Sequence, residues 1–251
     1  MKKRALYHTA TLLGVTFALN LGCAHPSPQA AIERDQLTTT QPIRRVAFMI
    51  PGVFGDGAWY DGLINAGKAA GDSTGTIEWG SSKPLFFENF SNRDVHDAAE
   101  TKLAAAIDAT PPSQQIDILA HSAGCGVTLG ALARCHRQVS TVVLLAPSVS
   151  PWYKLDAALA HVDNKLYSFY SSRDTTFLKW RTGNFGTYDN VKSPAAGYSG
   201  FETHNPKLVQ TAYDPKWEAL GNDGGHSGWL AEKWLLTEVS PLLGAHDDAR
   251  R

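Results

Sequence analysis

The chain has 251 residues, 43% of them hydrophobic and 19% charged, and its 23 Lys and Arg against 24 Asp and Glu leave a formal charge of -1. A disordered chain would be poorer in apolar residues and farther from neutrality, and a nucleic-acid binder would carry a basic excess, so both classes are excluded. With 22 Gly, 13 Pro and no internal repeat, collagen-like, low-complexity and solenoid proteins are excluded too, which leaves one globular domain of about 200–230 residues.

Residues 1–24 read as an export signal, because Lys2, Lys3 and Arg4 precede a mainly apolar run over 5–21. Tyr7, His8, Thr9, Thr11, Thr16 and Asn20 interrupt that run, so it makes a poor permanent span, which needs roughly 20 apolar residues. Its end, Leu21-Gly22-Cys23-Ala24, resembles a lipoprotein signal whose cysteine is lipidated and becomes the mature N-terminus, although Asn20 stands where such signals usually carry Leu. Cleavage after Ala24 also satisfies the small-x-small rule and would lead to simple secretion. The expectation is an envelope protein that touches the membrane only through a lipid on Cys23, with secretion as the alternative. Residues 25–43, with Pro26, Pro28 and Thr38-Thr39-Thr40, suit a flexible tether. The folded domain is expected over 44–245, with an unstructured tail over 246–251.

Within the domain, 45–50 is a short apolar run closed by Pro51-Gly52 and reads as a buried strand ending in a tight turn. A second strand is expected over 76–79. Val95, Ala99, Leu103, Ala106 and Ile107 then fall on one helical face, and Pro111-Pro112 stop that helix. Strands over 116–120, 141–146 and 166–170 follow, with a small-residue helix from 123 to about 135 after the first. A weaker strand over 207–213 and a closing helix over 229–239 complete the pattern. Strands alternating with helices imply a mostly parallel sheet of about six strands covered on both faces, an α/β fold.

The strongest strand meets the most glycine-rich helix in Ile118-Leu119-Ala120-His121-Ser122-Ala123-Gly124. This has the form of a nucleophile elbow, in which a serine occupies a strained turn between strand and helix and its neighbours two residues away must be small. Ala120 and Gly124 meet that requirement, with Ala120 standing where the usual pattern has Gly. A turn recurring by chance is the competing explanation, and the flanking strand and helix weigh against it. His121, adjacent to the serine, is read as structural.

With this motif the chain resembles the α/β-hydrolase superfamily over about residues 45–243. The resemblance implies nucleophile, acid and base in that chain order, which points to Ser122, Asp174 after the strand 166–170, and His226 in Asp223-Gly224-Gly225-His226-Ser227-Gly228 before the last helix. Asp214 and Asp223 remain rivals for the acid, and His204 and His96 for the base. It also implies an oxyanion hole from the Ala123 amide and a second amide in Pro51-Gly52-Val53-Phe54-Gly55, either Val53 or Phe54.

The chemistry needs these types because a serine hydroxyl is a weak nucleophile until a neutral imidazole takes its proton, and a carboxylate orients that imidazole. Aromatics in the presumed loops (Phe54, Trp59, Tyr60, Phe86, Phe87, Phe90, Trp152, Tyr153, Phe177, Trp180) favour a cleft for an acyl or aryl group, and 175–206 is either a cap or a long surface excursion. The expected function is a serine hydrolase cleaving a small-molecule or lipid ester. The alternatives are a thioesterase or amidase on the same residues and a non-catalytic envelope lipoprotein that binds a ligand. None of the nine histidines forms a His-x-x-x-His pair with an acidic residue between, and there is no glycine-rich phosphate loop, so neither a metal nor a cofactor is expected. Cys125 and Cys135, about 15 Å apart if one helix carries both, are expected to be unpaired.

Overall fold

A computed structural model describes residues 45–55, 57–80 and 86–243, so the expected signal, tether and tail lie outside the described residues. In chain order the elements are β1 (Arg45–Ile50), α1 (Asp61–Ala69), β2 (Ser73–Thr76), α2 (Phe86–Ser91), α3 (Arg93–Ala109), β3 (Gln115–His121), α4 (Ala123–Leu132), β4 (Thr141–Leu145), α5 (Asp156–Leu159), β5 (Leu166–Tyr170), α6 (Thr182–Phe185), α7 (Ala196–Ser199) and β6 (Leu208–Ala212). A series of short helical turns then closes the domain from Gly228 to Leu242.

The six strands form one parallel sheet in the order β2-β1-β3-β4-β5-β6. Alternation along each central strand divides the core in two. Val46, Phe48, Ile50, Ile116, Ile118, Val142 and Leu144 pack with Leu103 and Ile107 of α3 and with the wholly buried α4. Ala47, Met49, Leu119, Val143, Leu145 and Phe169 face the other way, onto Leu63 and Ala66 of α1 and the C-terminal turns. From β1 the chain moves outward to β2 on one side and returns to place β3 on the other. That reversal opens a crevice at the carboxyl ends of β1 and β3, where open parallel sheets bind ligands.

Several boundaries differ from the sequence reading. The second strand is Ser73–Thr76, not 76–79: a polar edge strand with no apolar run, after which Ile77 and Trp79 are buried beyond the ladder. The helix after Ser122 stops at Leu132, before Cys135, and both cysteines are free and buried. The helix α1 was not anticipated, because Gly62 and Gly67 dilute its pattern. The closing helix over 229–239 is not continuous. Ala231 leaves the helical region at ψ 113, and a π-helical stretch, Leu235–Val239, precedes a last turn at Ser240–Leu242.

Packing holds those irregular turns in place. Trp234 lies 5.2 Å from Trp229, 5.3 Å from Trp217 and 5.3 Å from Phe169, ring centre to ring centre. Large buried aromatics dominate such clusters energetically. Trp234→Ala should therefore lower the unfolding free energy by about 3–5 kcal/mol, read from urea unfolding followed by circular dichroism.

Candidate active site

Ser122 lies between β3 and α4, at the helix N-cap, with φ 56 and ψ -124, a conformation an L residue adopts only under constraint. The constraint is visible. Its amide donates to the Leu145 carbonyl at 2.9 Å, and its own carbonyl accepts from Cys125 at 3.1 Å and Ser148 at 3.2 Å. Two residues on, a Cβ at Gly124 would lie 2.4 Å from the carbonyl oxygens of Ile50 and Pro51, so no larger residue fits there. The turn directs the Ser122 hydroxyl off the sheet and leaves the Ala123 amide at the first position of α4, where no intrahelical acceptor exists.

His226 Nε2 lies 3.0 Å from Ser122 Oγ, and its Nδ1 lies 2.6 Å from Asp174 Oδ2. In the neutral imidazole these contacts assign the tautomer: Nδ1–H donates to Asp174, and Nε2 accepts from the serine hydroxyl. Asp174 is buried, and its other oxygen accepts from the amides of Phe177 and Leu178 at 3.3 Å, at the start of the π-helical stretch Thr176–Arg181. Phe177 from that stretch stacks on the imidazole with ring centres 4.7 Å apart. The loop carrying His226 folds on its own polar groups, since Asn222 Oδ1 accepts from the Gly224 amide at 2.9 Å and Asp223 Oδ1 from the Gly225 amide at 2.8 Å. Gly224 has φ +77, and a Cβ there would meet Ser171 and Tyr213 at 2.9 Å.

Several backbone groups of the loop after β1 are bonded. Trp79 Nε1 donates to the Pro51 carbonyl at 2.8 Å, and the Gly55 amide to the Gly52 carbonyl at 3.1 Å. The Gly52 amide donates to Tyr60 Oη at 2.8 Å, and Asn89 Nδ2 donates to the Val53 carbonyl at 3.0 Å. Among the described residues the amides of Val53 and Ala123 have no acceptor, so both are available donors beside Ser122. Phe54, the alternative to Val53, lines the cavity and is 42% exposed.

His121 lines the cavity with its ring 4.9 Å from that of His226, but neither of its nitrogens bonds Ser122. Its Nδ1 lies 3.0 Å from Tyr60 Oη and its Nε2 3.0 Å from the His226 carbonyl. Burial pushes its pKa down to about 3 and that of Tyr60 up to about 12, so both are uncharged near neutrality.

The rivals sit elsewhere. His96 is buried, donates from Nε2 to the Asn89 carbonyl and stacks on Tyr188 at 3.8 Å, while His204 lies in a shallow surface depression with Thr203 and Asn205. Asp214 pairs with Lys216 at 3.0 Å, and the Asp223 carboxylate serves its own loop. Ser122, Asp174 and His226 are the three that the fold brings together.

Over them lies a cavity of about 630 Å³ whose wall includes Phe54, Trp59, Tyr60, Phe90, Phe177 and Leu230, with Arg181, Ser148 and Ser227 among its polar groups. Of the other aromatics expected in a cleft, Trp152, Tyr153 and Trp180 do not line it, and the side chains of Phe86 and Phe87 lie outside the described residues. Phe177 and Arg181, four apart on the helical stretch, turn inward, while Trp180 is 62% exposed. The segment 175–206 is neither a separate cap nor a surface excursion. Its first part forms one wall, and its second is tied to the body by Ala196 to Val149, Gly197 to Pro147 and Ser171 to Gly197 backbone bonds of 2.7–2.9 Å. Among the described residues no group of three or more His, Cys, Asp or Glu could hold a metal ion.

At the level of sequence, no family model and no curated protein matches the chain. Similar solved structures include an esterase of Pyrococcus furiosus, 11% identical, covering 81% of this chain and 82% of that one with a TM-score of 0.52. Another is an α/β hydrolase enzyme from the metagenome of sediments of the Mar Chica lagoon in Morocco, 14% identical, covering 82% of this chain and 91% of that one with a TM-score of 0.50.

The 2.6 Å contact between His226 and Asp174 makes a spectroscopic prediction. Its Nδ1 proton should give a strongly downfield, slowly exchanging NMR resonance that disappears in Asp174→Ala while the rest of the spectrum keeps its dispersion.

Proposed function

The chain has the α/β-hydrolase fold, and we propose that it is a serine hydrolase that cleaves carboxylic esters through an acyl-enzyme. The observation that carries this reading is the unbroken contact series from Ser122 Oγ through His226 to Asp174 beneath an aromatic cavity. Ser122 Oγ attacks the ester carbonyl as His226 Nε2 takes its proton, and the buried Asp174 stabilises the imidazolium that results. Charge developing on the carbonyl oxygen is met by the amides of Val53 and Ala123. His226 then returns the proton to the departing alcohol, and water, activated by the same imidazole, releases the acid. The aromatic wall supports an ester with an apolar acyl or aryl group, and the alcohol leaving group is favoured over an amine or thiol only by the simplicity of the chemistry.

Export and lipid anchoring at Cys23 are proposed on sequence grounds alone, from residues 1–24. On this reading the enzyme works in the cell envelope, held to the membrane by its N-terminal lipid. Cys23→Ser should move the protein from the membrane to the soluble fraction of an expressing bacterium, and unchanged fractionation would remove the anchor from the proposal.

Stoichiometric labelling by a fluorophosphonate, mapped by mass spectrometry to the peptide containing Ser122, tests the nucleophile. Ser122→Ala should abolish both labelling and ester turnover, a loss of about a million-fold in kcat, with no change in fold. Asp174→Asn should reduce kcat by about four orders of magnitude through loss of imidazole orientation. Full activity in either variant would refute the assignment.

The value of kcat/KM should fall in acid, because a protonated imidazole cannot accept the serine proton. His121, held at about 3, contributes nothing to that limb.

A further inference from the structure

Tyr60 and His121 form a directed hydrogen-bond chain that joins the two loops flanking Ser122. Neutral His121 has one N–H, and its Nε2 faces a carbonyl, the His226 C=O at 3.0 Å, which can only accept. The proton is therefore on Nε2, and Nδ1 is an acceptor. Tyr60 must then donate its hydroxyl proton to Nδ1 at 3.0 Å, which leaves the Tyr60 oxygen to accept from the Gly52 amide at 2.8 Å. Every donor and acceptor along the chain is matched, and both side chains are buried.

Among the described residues no backbone hydrogen bond joins the 51–55 loop to the 222–228 loop. The side chains of Tyr60 and His121 span that gap. One end fixes the peptide that precedes the Val53 amide, and the other fixes the backbone of His226 itself. Because His121 directly precedes Ser122, the chain is also anchored to the strained turn. We propose that Tyr60 and His121 are positioning residues that hold the Val53 amide and the His226 loop in register with Ser122, an inference that rests on the reading of Ser122 and His226 as nucleophile and base. Neither residue is assigned contact with the reacting atoms. Their effect is exerted through donors and a base whose placement matters most when charge develops in the transition state.

The test is Tyr60→Phe, which removes one oxygen, leaving the Gly52 amide without its acceptor and His121 Nδ1 without its donor. Loss of positioning predicts a fall in kcat of about tenfold to 100-fold, somewhat less than deletion of an oxyanion donor, with KM within about twofold of the wild-type value. The rate of Ser122 phosphonylation by a fluorophosphonate should fall in parallel. Tyr188→Phe is the control, because it removes another buried tyrosine hydroxyl, one that donates to Glu100 at 2.9 Å and does not line the cavity. It should lower the melting temperature without changing kcat.

If Tyr60→Phe behaves like Tyr188→Phe, losing stability but keeping kcat and the labelling rate, the inference is overturned. His121→Asn keeps an acceptor near the Nδ1 position and loses the donor to His226, and the same readout on that variant decides the matter if Tyr60→Phe does not fold. Wild-type protein that neither hydrolyses esters nor takes up the phosphonate would instead sink the reading of the site as a serine hydrolase. Active wild type with an unaffected Tyr60→Phe would sink this inference alone.

Discussion

The site depends on the backbone of Ser122. A residue held at φ 56 and ψ -124 costs about 1–3 kcal/mol, and the turn persists only because its surroundings determine it from several sides. The Leu145 carbonyl holds its amide, the amides of Cys125 and Ser148 hold its carbonyl, and the bare Cα of Gly124 lets α4 press against the end of β1. Leu145 lies on a central strand, Cys125 and Gly124 on the helix buried against it, and Ser148 in the loop directly after that strand. Strain at one residue is thus supported by the most rigid part of the molecule. In return the turn presents a hydroxyl and the Ala123 amide at the same edge of the sheet.

Everything else at that edge comes from loops, and the sheet order decides which loops meet. Because β3 lies beside β1, the turn after β1 faces the turn after β3, and the loops after β5 and β6 bring Asp174 and His226 from the far side. These segments share few backbone bonds. Their relative placement is set by side chains: Trp79 and Asn89 on the Val53 loop, Phe177 over His226, and Tyr60 with His121 between the two. A cluster of Trp217, Trp229 and Trp234 supports the irregular turns that follow His226. The polar machinery is therefore fixed by aromatic packing and buried hydrogen bonds, and not by the strand ladder that carries it.

Sequence reading recovered the parts governed by local rules. The central strands are unbroken apolar runs, and the pattern around Ser122 carries its own steric signature in Ala120 and Gly124, so both could be placed within a residue or two. Asp174 and His226 followed from chain order. The edge strand Ser73–Thr76 was displaced because it has no apolar run to mark it, and α1 was missed because two glycines blur its buried face. His121, read as structural, does not bond Ser122, yet its partners lie 61 and 105 positions away, and no local pattern announces them. Tyr60 does line the cleft, as its aromatic character suggests, but the partners of its hydroxyl are set by tertiary structure alone.

The stretch from Asp174 to Arg181 joins two properties that could otherwise vary separately. Its first residue contacts the imidazole, its early amides hold that carboxylate, Phe177 stacks on the imidazole, and Phe177 and Arg181 both line the cavity. A substitution that widens or narrows the cavity here also disturbs the Asp174–His226 pair. The opposite wall includes Phe54 and Trp59, which follow β1 and supply neither the carboxylate nor the imidazole. Diversification of this scaffold toward new acyl groups would therefore be expected to proceed asymmetrically, with tolerated change accumulating on the Trp59 side and the Phe177 side evolving slowly.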